Sequence, residues 1–182
     1  MNTLRYVAAA AASVVVVIFG STQTTGALWR DDAVTDAGVV QAGTLDIKVG
    51  ASGTEVDDYV IDSLGGVGLG PGSFSQAPLS VRNAGNIPMN YRLQSASAAA
   101  SLAPSLSVVV DRVSATASCP VAAPPSGATV NLYSGPLSSA QGPQRVLAAG
   151  ESEVLCFRVA LTADPPQNSS TTVTFSFLAE QQ

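Results

Sequence analysis

The sequence predicts an all-β fold: a single antiparallel β-sandwich behind an N-terminal signal helix. Three observations carry that expectation. Short runs of alternating apolar and polar residues recur from Leu45 to Glu180, divided by clusters of Gly, Pro, Ser and Asn. The one long apolar run, Val7 to Phe19, lies at the very start. The 182 residues, less that leader, leave room for one domain with a single sizeable core. The expected partition is residues 1–27 as signal peptide, 28–43 as an N-terminal arm and 44–182 as the sandwich.

Composition narrows the chemistry. Charged residues make up 12% of the chain, and acidic residues outnumber basic ones to give a formal net charge of −5. Lys48 is the sole lysine and no basic stripe exists, so neither nucleic acid nor anionic lipid is an expected partner. Histidine is absent, which removes the commonest general base and the commonest zinc ligand together. No cofactor is expected. Cys119 and Cys156 are the only cysteines. In an exported chain they are expected to form one disulfide, contributing roughly 3–4 kcal/mol by constraining the unfolded chain. Two free buried thiols are the other reading.

The leader reads as an export signal. Met1 to Arg5 carries one positive side chain, Arg5, and the apolar run follows. As a helix that run would cover about 20 Å, short of the ~30 Å hydrocarbon core of a bilayer. Gly20 and the polar Ser21–Thr25 end it, and the small residues Thr25 and Ala27 suit a cut between Ala27 and Leu28. The other reading is an uncleaved anchor, the one route by which this chain is expected to touch a membrane.

Beyond the cut, Gly26 to Val34 reads G-A-L-W-R-D-D-A-V, and Ala42 to Ile47 reads A-G-T-L-D-I. This start resembles bacterial exported proteins with the SipW-dependent, alternate type of signal peptide: the TasA/camelysin-like proteins and the actinobacterial alternate signal-mediated exported proteins. Trp29 stands at the aromatic position, Asp31 at the acidic one, and Ala42–Ile47 at the G-T-L-D element. A turn of L-x-P-G type at Leu69–Gly72 agrees. The resemblance implies a signal peptidase as partner during export, a secreted or cell-surface location, and a matrix role as homo-oligomer or fibre. The residues themselves support an arm in which Leu28, Trp29, Val34, Val39 and Val40 form an apolar strand that pairs with a neighbouring subunit's sheet edge. Alternatively, Trp29 packs over one end of the sandwich.

Within the domain, Gly43 permits a sharp turn, and Leu45, Ile47 and Val49 alternate with Asp46 and Lys48 as a half-buried strand. Glu55, Asp57, Asp58 and Asp62 are dense enough to raise calcium, but they lack an EF-hand's spacing and read as a solvated edge. The glycines from Gly65 to Gly72 precede no helix and form no phosphate-binding motif, so they read as a loop. Pro78 to Leu93 reads as a hairpin, with Leu79 and Val81 going out, a turn at Asn83–Asn86, and Met89, Tyr91 and Leu93 returning. Its phrasing, V-R-N-A-G-N-I-P-M-N-Y-R-L, resembles strand pairs of immunoglobulin-like bacterial domains, so the expected sandwich is jelly-roll or immunoglobulin-like.

Ser95–Ser105 and Ser134–Pro143 read as loops, the first with room for a short helical turn. Leu106–Val113 and Val130–Tyr133 read as strands, and Cys119–Gly127 as an irregular proline-rich segment. Leu155, Phe157, Val159 and Leu161 share one strand face, with Val154, Cys156, Arg158 and Ala160 on the other. Val173, Phe175 and Phe177 face inward on the last strand. The parity sets Cys156 opposite the phenylalanine face, so a bridge would pin the proline-rich loop to the sheet's outer side. Asn168-Ser169-Ser170 matches a glycosylation sequon and is treated as chance.

Neither H-E-x-x-H nor G-x-S-x-G occurs, so no enzyme is expected. Two functions remain: a structural protein of the cell surface or extracellular matrix that assembles through strand addition, and a monomeric secreted or surface module with ligand contacts on its loops. Intact-mass measurement of the secreted product should give a chain beginning at Leu28 and lacking two hydrogens. A product still carrying Val7–Phe19 contradicts the cut.

Overall fold

The computed structural model describes residues 42–66, 69–162 and 168–182. The signal helix, the cut at Ala27 and Leu28, and the arm residues Leu28, Trp29, Val34, Val39 and Val40 lie outside the described residues. Eight strands follow: β1 (Ile47–Gly50), β2 (Phe74–Asn83), β3 (Met89–Ser97), β4 (Leu106–Val113), β5 (Val130–Pro136), β6 (Arg145–Leu147), β7 (Ser152–Leu161) and β8 (Thr174–Gln181). They form an all-β domain of two packed antiparallel sheets. The larger has the order β1-β2-β7-β4-β5 and the smaller the order β6-β3-β8.

The core lies between the sheets, where the period-two pattern places it. Leu79, Val81, Val108, Val110, Leu155 and Phe157 come from the larger sheet and Met89, Tyr91 and Leu93 from the smaller, all buried. Phe157 is the hub, with ring centroids 4.5 Å from Phe175 and 6.4 Å from Phe177. Val173, Phe175 and Phe177 face this core as expected, half-buried, while Thr172, Thr174 and Ser176 are exposed. Cys156 points the other way and bonds Cys119 across a sequence separation of 37. Val113 and Val154 pack around the bridge in a small second cluster on the outer face.

That outer face is covered. The Gln76 amide, fully buried, donates to Pro120 O at 2.5 Å and Ala123 O at 3.0 Å, so the proline-rich loop is held by hydrogen bonds as well as by the bridge. Arg158 donates from Nε to Gln76 Oε1 at 2.8 Å and lies over the Phe74 ring, 4.6 Å from its centroid. Pro78, which has no N–H to give, falls on the part of β2 beyond the reach of the four-residue β1.

The expected Pro78–Leu93 hairpin is not formed. β2 and β3 belong to different sheets, and Ala84–Pro88 carries the chain between them. The physical reason is Asn83, which is fully buried. Its Nδ2 donates to Ile87 O (2.8 Å) and Leu147 O (3.1 Å), while its Oδ1 accepts from Gly85 N (3.0 Å). Its backbone bonds the second crossing, donating to Glu151 O and accepting from Gly150 N, both at 2.9 Å. A Cβ on Gly85 would lie 2.2 Å from Thr44 O, because the approach to β1 runs directly over this corner.

Two expected loops also carry structure. Ser134–Pro143 contains the end of β5 and a 3-10 turn at Leu137–Ser139 whose Leu137 is fully buried. The Ser95–Ser105 stretch holds the end of β3 and a 3-10 turn at Ala103–Ser105, close to the expected short helical turn. The first strand begins at Ile47, leaving Leu45 exposed outside it.

Asn83→Ala should unfold at markedly lower urea concentration, because the Ile87 and Leu147 carbonyls and the Gly85 N–H each lose a partner at roughly 1–3 kcal/mol per buried group. Phe157→Ala should cost about 3–5 kcal/mol in the same measurement.

Candidate functional site

The described residues most open to a partner lie on the β1–β2 connection. Val56 pairs with Val49 through two backbone hydrogen bonds of 2.8 Å, which anchors the connection beside β1. Further along, Ile61 and Leu64 fold under the core, and Ser75 Oγ accepts from Gly65 N (2.8 Å) and donates to Ser63 O (3.3 Å). Between these anchors Tyr59 and Val60 stand out, Val60 at 75% exposure. With Leu45, Val56 and Leu69 they make five exposed large apolar residues in one stretch of chain. Single exposed apolar residues are ordinary, and Val121, Val130 and Val146 are others; these five are set apart by being neighbours in sequence.

The adjacent stretch of β2 is covered. β1 pairs only with Ser80–Asn83 of the ten-residue β2, and in the remainder Ser75, Gln76, Ala77 and Leu79 are buried, with Ser63 and Gly65 bonded to Ser75.

The acidic residues in this stretch do not converge. Glu55, expected on a solvated edge, instead has a buried carboxylate that accepts from Ser80 Oγ at 2.7 Å and Gly53 N at 3.0 Å. The Ser80 hydroxyl, with the Gly53 amide and the Arg82 charge, holds it below the usual carboxylate range. Asp57 pairs with Lys48 Nζ at 3.1 Å, and Asp58 and Asp62 are exposed. Among the described residues no three His, Cys, Asp or Glu side chains gather as a cation site would need.

A charged cluster that the pattern reading missed closes one end of the sandwich. Glu153 (β7) accepts from Arg145 (β6) through Nε at 2.5 Å and Nη2 at 2.7 Å, and from the Tyr91 hydroxyl (β3). Arg112 Nε (β4) lies 3.0 Å from its other face. Two groups therefore come from each sheet. Burial pushes the Glu153 carboxyl up, but the Arg145 and Tyr91 hydrogen bonds and the two guanidinium charges more than offset it, leaving it below its ordinary value. Burial and the Glu153 charge push the Tyr91 phenol far up, so Tyr91 stays a donor. The signal was available in the alternation: Glu153 shares the face of Leu155 and Phe157, and Arg112 that of Val108 and Val110.

Beside this cluster runs an open polar groove lined by Ser52, Arg112, Ser114, Thr116, Ser152 and Glu153. Glu153 is already held by both Arg112 and Arg145, so the groove presents hydroxyls beside an occupied carboxylate. Among the described residues no helix is long and apolar enough to cross a membrane. The bridge between Cys119 and Cys156 is of the kind that persists in oxidising compartments. Comparisons with protein-family models, with curated proteins and with solved structures find no match for this chain.

Glu153 contributes stability in full above the ordinary carboxylate range, and loses it as the pH falls through its depressed folded value. Glu153→Gln should therefore flatten the acid limb of the stability–pH curve. At neutral pH it should cost about 2–4 kcal/mol, towards the lower figure because Arg112 is half exposed. Urea titrations across the acid range check both.

Proposed function

We propose that this chain is an exported, non-catalytic structural protein of the cell surface or extracellular matrix, assembling by adding its N-terminal arm as a strand to a neighbouring subunit. The observation that carries the reading is the set of exposed apolar side chains Val56, Tyr59, Val60 and Leu69 on the β1–β2 connection. In sequence the apolar Leu28, Trp29, Val34, Val39 and Val40 come directly before β1. Strand addition joins the two: main-chain bonds supply affinity, and alternate apolar side chains find the apolar surface. The resemblance of the first fifty or so residues to the TasA/camelysin-like exported proteins supports export through a signal peptidase that cuts before Leu28. The absence of histidine and of hydrolase motifs supports a role without catalysis.

The order of the strands favours the jelly-roll form of sandwich. Successive strands β2 and β3, β3 and β4, β6 and β7, and β7 and β8 change sheets, while β4 and β5 form a hairpin within one. A monomeric binding module is the second reading, favoured by the polar groove at Ser52, Ser114, Thr116 and Ser152.

Light scattering and electron microscopy on protein beginning at Leu28, set against protein beginning at Thr44, separate the two. Concentration-dependent filaments from the longer form alone are expected. Monomers from both, each still folded, defeat assembly through the arm and favour the binding module.

A further inference from the structure

The four strands that border the sheets are not equally protected. β1 is four residues long, carries Lys48 and is bridged by Val56. β6 is three residues long and begins with Arg145. β5 is broken by a bulge opposite Val110 and Asp111 and ends in Pro136. These are the devices that keep edge strands from pairing. β8 has only one of them, the charge of Glu180 near its end. It runs for eight residues, T-F-S-F-L-A-E-Q, without proline, glycine or lysine. The irregularity in its pairing with β3 falls on β3, at the extra residue Gln94. Among the described residues no backbone group of Thr174–Gln181 bonds to anything but β3. Phe175, Phe177 and Ala179 pack against the core and are still only half-buried, because the smaller sheet stops at β8.

We propose that β8 pairs antiparallel with β8 of a second copy about a two-fold axis at Leu178, making one six-stranded sheet from the two smaller sheets. Residues directly opposite each other then share a face. On the core side Phe177 meets Ala179 of the partner subunit, and the half-buried apolar row continues across the junction. On the outer side the two Leu178 side chains touch, and Glu180, the one charge on β8, faces the hydroxyl of Ser176 of the partner subunit. The two Glu180 carboxylates lie four residues apart along the strands, about 13 Å at the usual strand rise, beyond the ~8 Å screening length of physiological salt. No like charges therefore oppose this register, and each carboxylate meets a hydrogen-bond donor. β8 shares no residue with the arm or with the β1–β2 connection, so the proposal stands or falls without them.

Single cysteines in the full secreted chain read the register directly. Directly opposed residues in an antiparallel pair fall within disulfide range, and residues two steps out of register do not. Under mild oxidation, Leu178→Cys should give about tenfold more covalent dimer on a non-reducing gel than Ser176→Cys alone, the difference expected of an in-register against an out-of-register pair. Because Ser176 and Glu180 are exposed, Ser176→Cys and Glu180→Cys serve as variants that leave the core alone. Each should stay largely monomeric by itself and cross-link when the two are mixed. Equal dimer from every single variant, or none from Leu178→Cys and none from the mixture, overturns the proposal. Filaments that depend on the arm would be present or absent regardless of these bands.

Discussion

The buried amide of Asn83 holds two crossings of the chain at once. One leads from β2 to β3 and the other from β6 to β7, and both must clear the gap between the sheets at the same end. Every polar atom of Asn83 has a partner there: the side chain bonds Ile87, Leu147 and Gly85, and the main chain bonds Glu151 and Gly150. An unpaired amide in this place would be costly, whereas a fully paired one specifies the corner. Thr44–Asp46 then lies against the same corner, with Ala84 N donating to Asp46 O at 2.8 Å and Asn86 N to Thr44 O at 3.1 Å. The position of β1 thus follows from the way β2 ends, and the close approach leaves room only for glycine at residue 85.

The two faces of the larger sheet are built on different physics. The inner face is apolar and aromatic, centred on Phe157. The outer face buries Gln76, Ser80 and Cys156 under loops, so Gln76 and Ser80 are satisfied by carbonyls and a carboxylate brought in from elsewhere in the chain, while Arg158 Nη2 is buried without a partner among the described residues. The Cys119–Cys156 bridge belongs to this second arrangement: it ties a loop with little apolar content of its own to a sheet that already has a core. The Glu153 cluster does a related task at the end of the sandwich, where arginine and tyrosine from opposite sheets meet one carboxylate.

Alternation made much of this legible. The Leu155–Leu161 and Val173–Phe177 faces, the strand at Leu106–Val113 and the outward aim of Cys156 all follow from a period of two, which survives as long as a strand stays regular. The residues Asn83–Asn86 signal a change of direction, which here is a crossing between sheets and not a hairpin. Asn, Gly and Pro serve both purposes, and only the buried amide, a tertiary contact, distinguishes them. Leu137 escaped because serine and proline around it read as surface, and β6 because three residues hold no period. Glu55 looked solvated among its acidic neighbours, yet the hydroxyl that receives it, on Ser80, lies far along the chain. Of the candidate assembly surface, the exposed apolar residues of the β1–β2 connection were visible only as interruptions in an acidic run. The arm lies outside the described residues.

The pairing of β2 with β7 bears on when this chain can fold. Phe74 lies across from Ala160 and Arg82 from Ser152, so the centre of the larger sheet joins segments far apart in the chain. Such closure is slow, since a long loop must be ordered before the contacts that reward it exist. β2 has β1 as a neighbour beforehand, but the centre of the larger sheet stays open until β7 has been made. The larger sheet therefore closes from its margins inward, with β7 as the last strand to enter it.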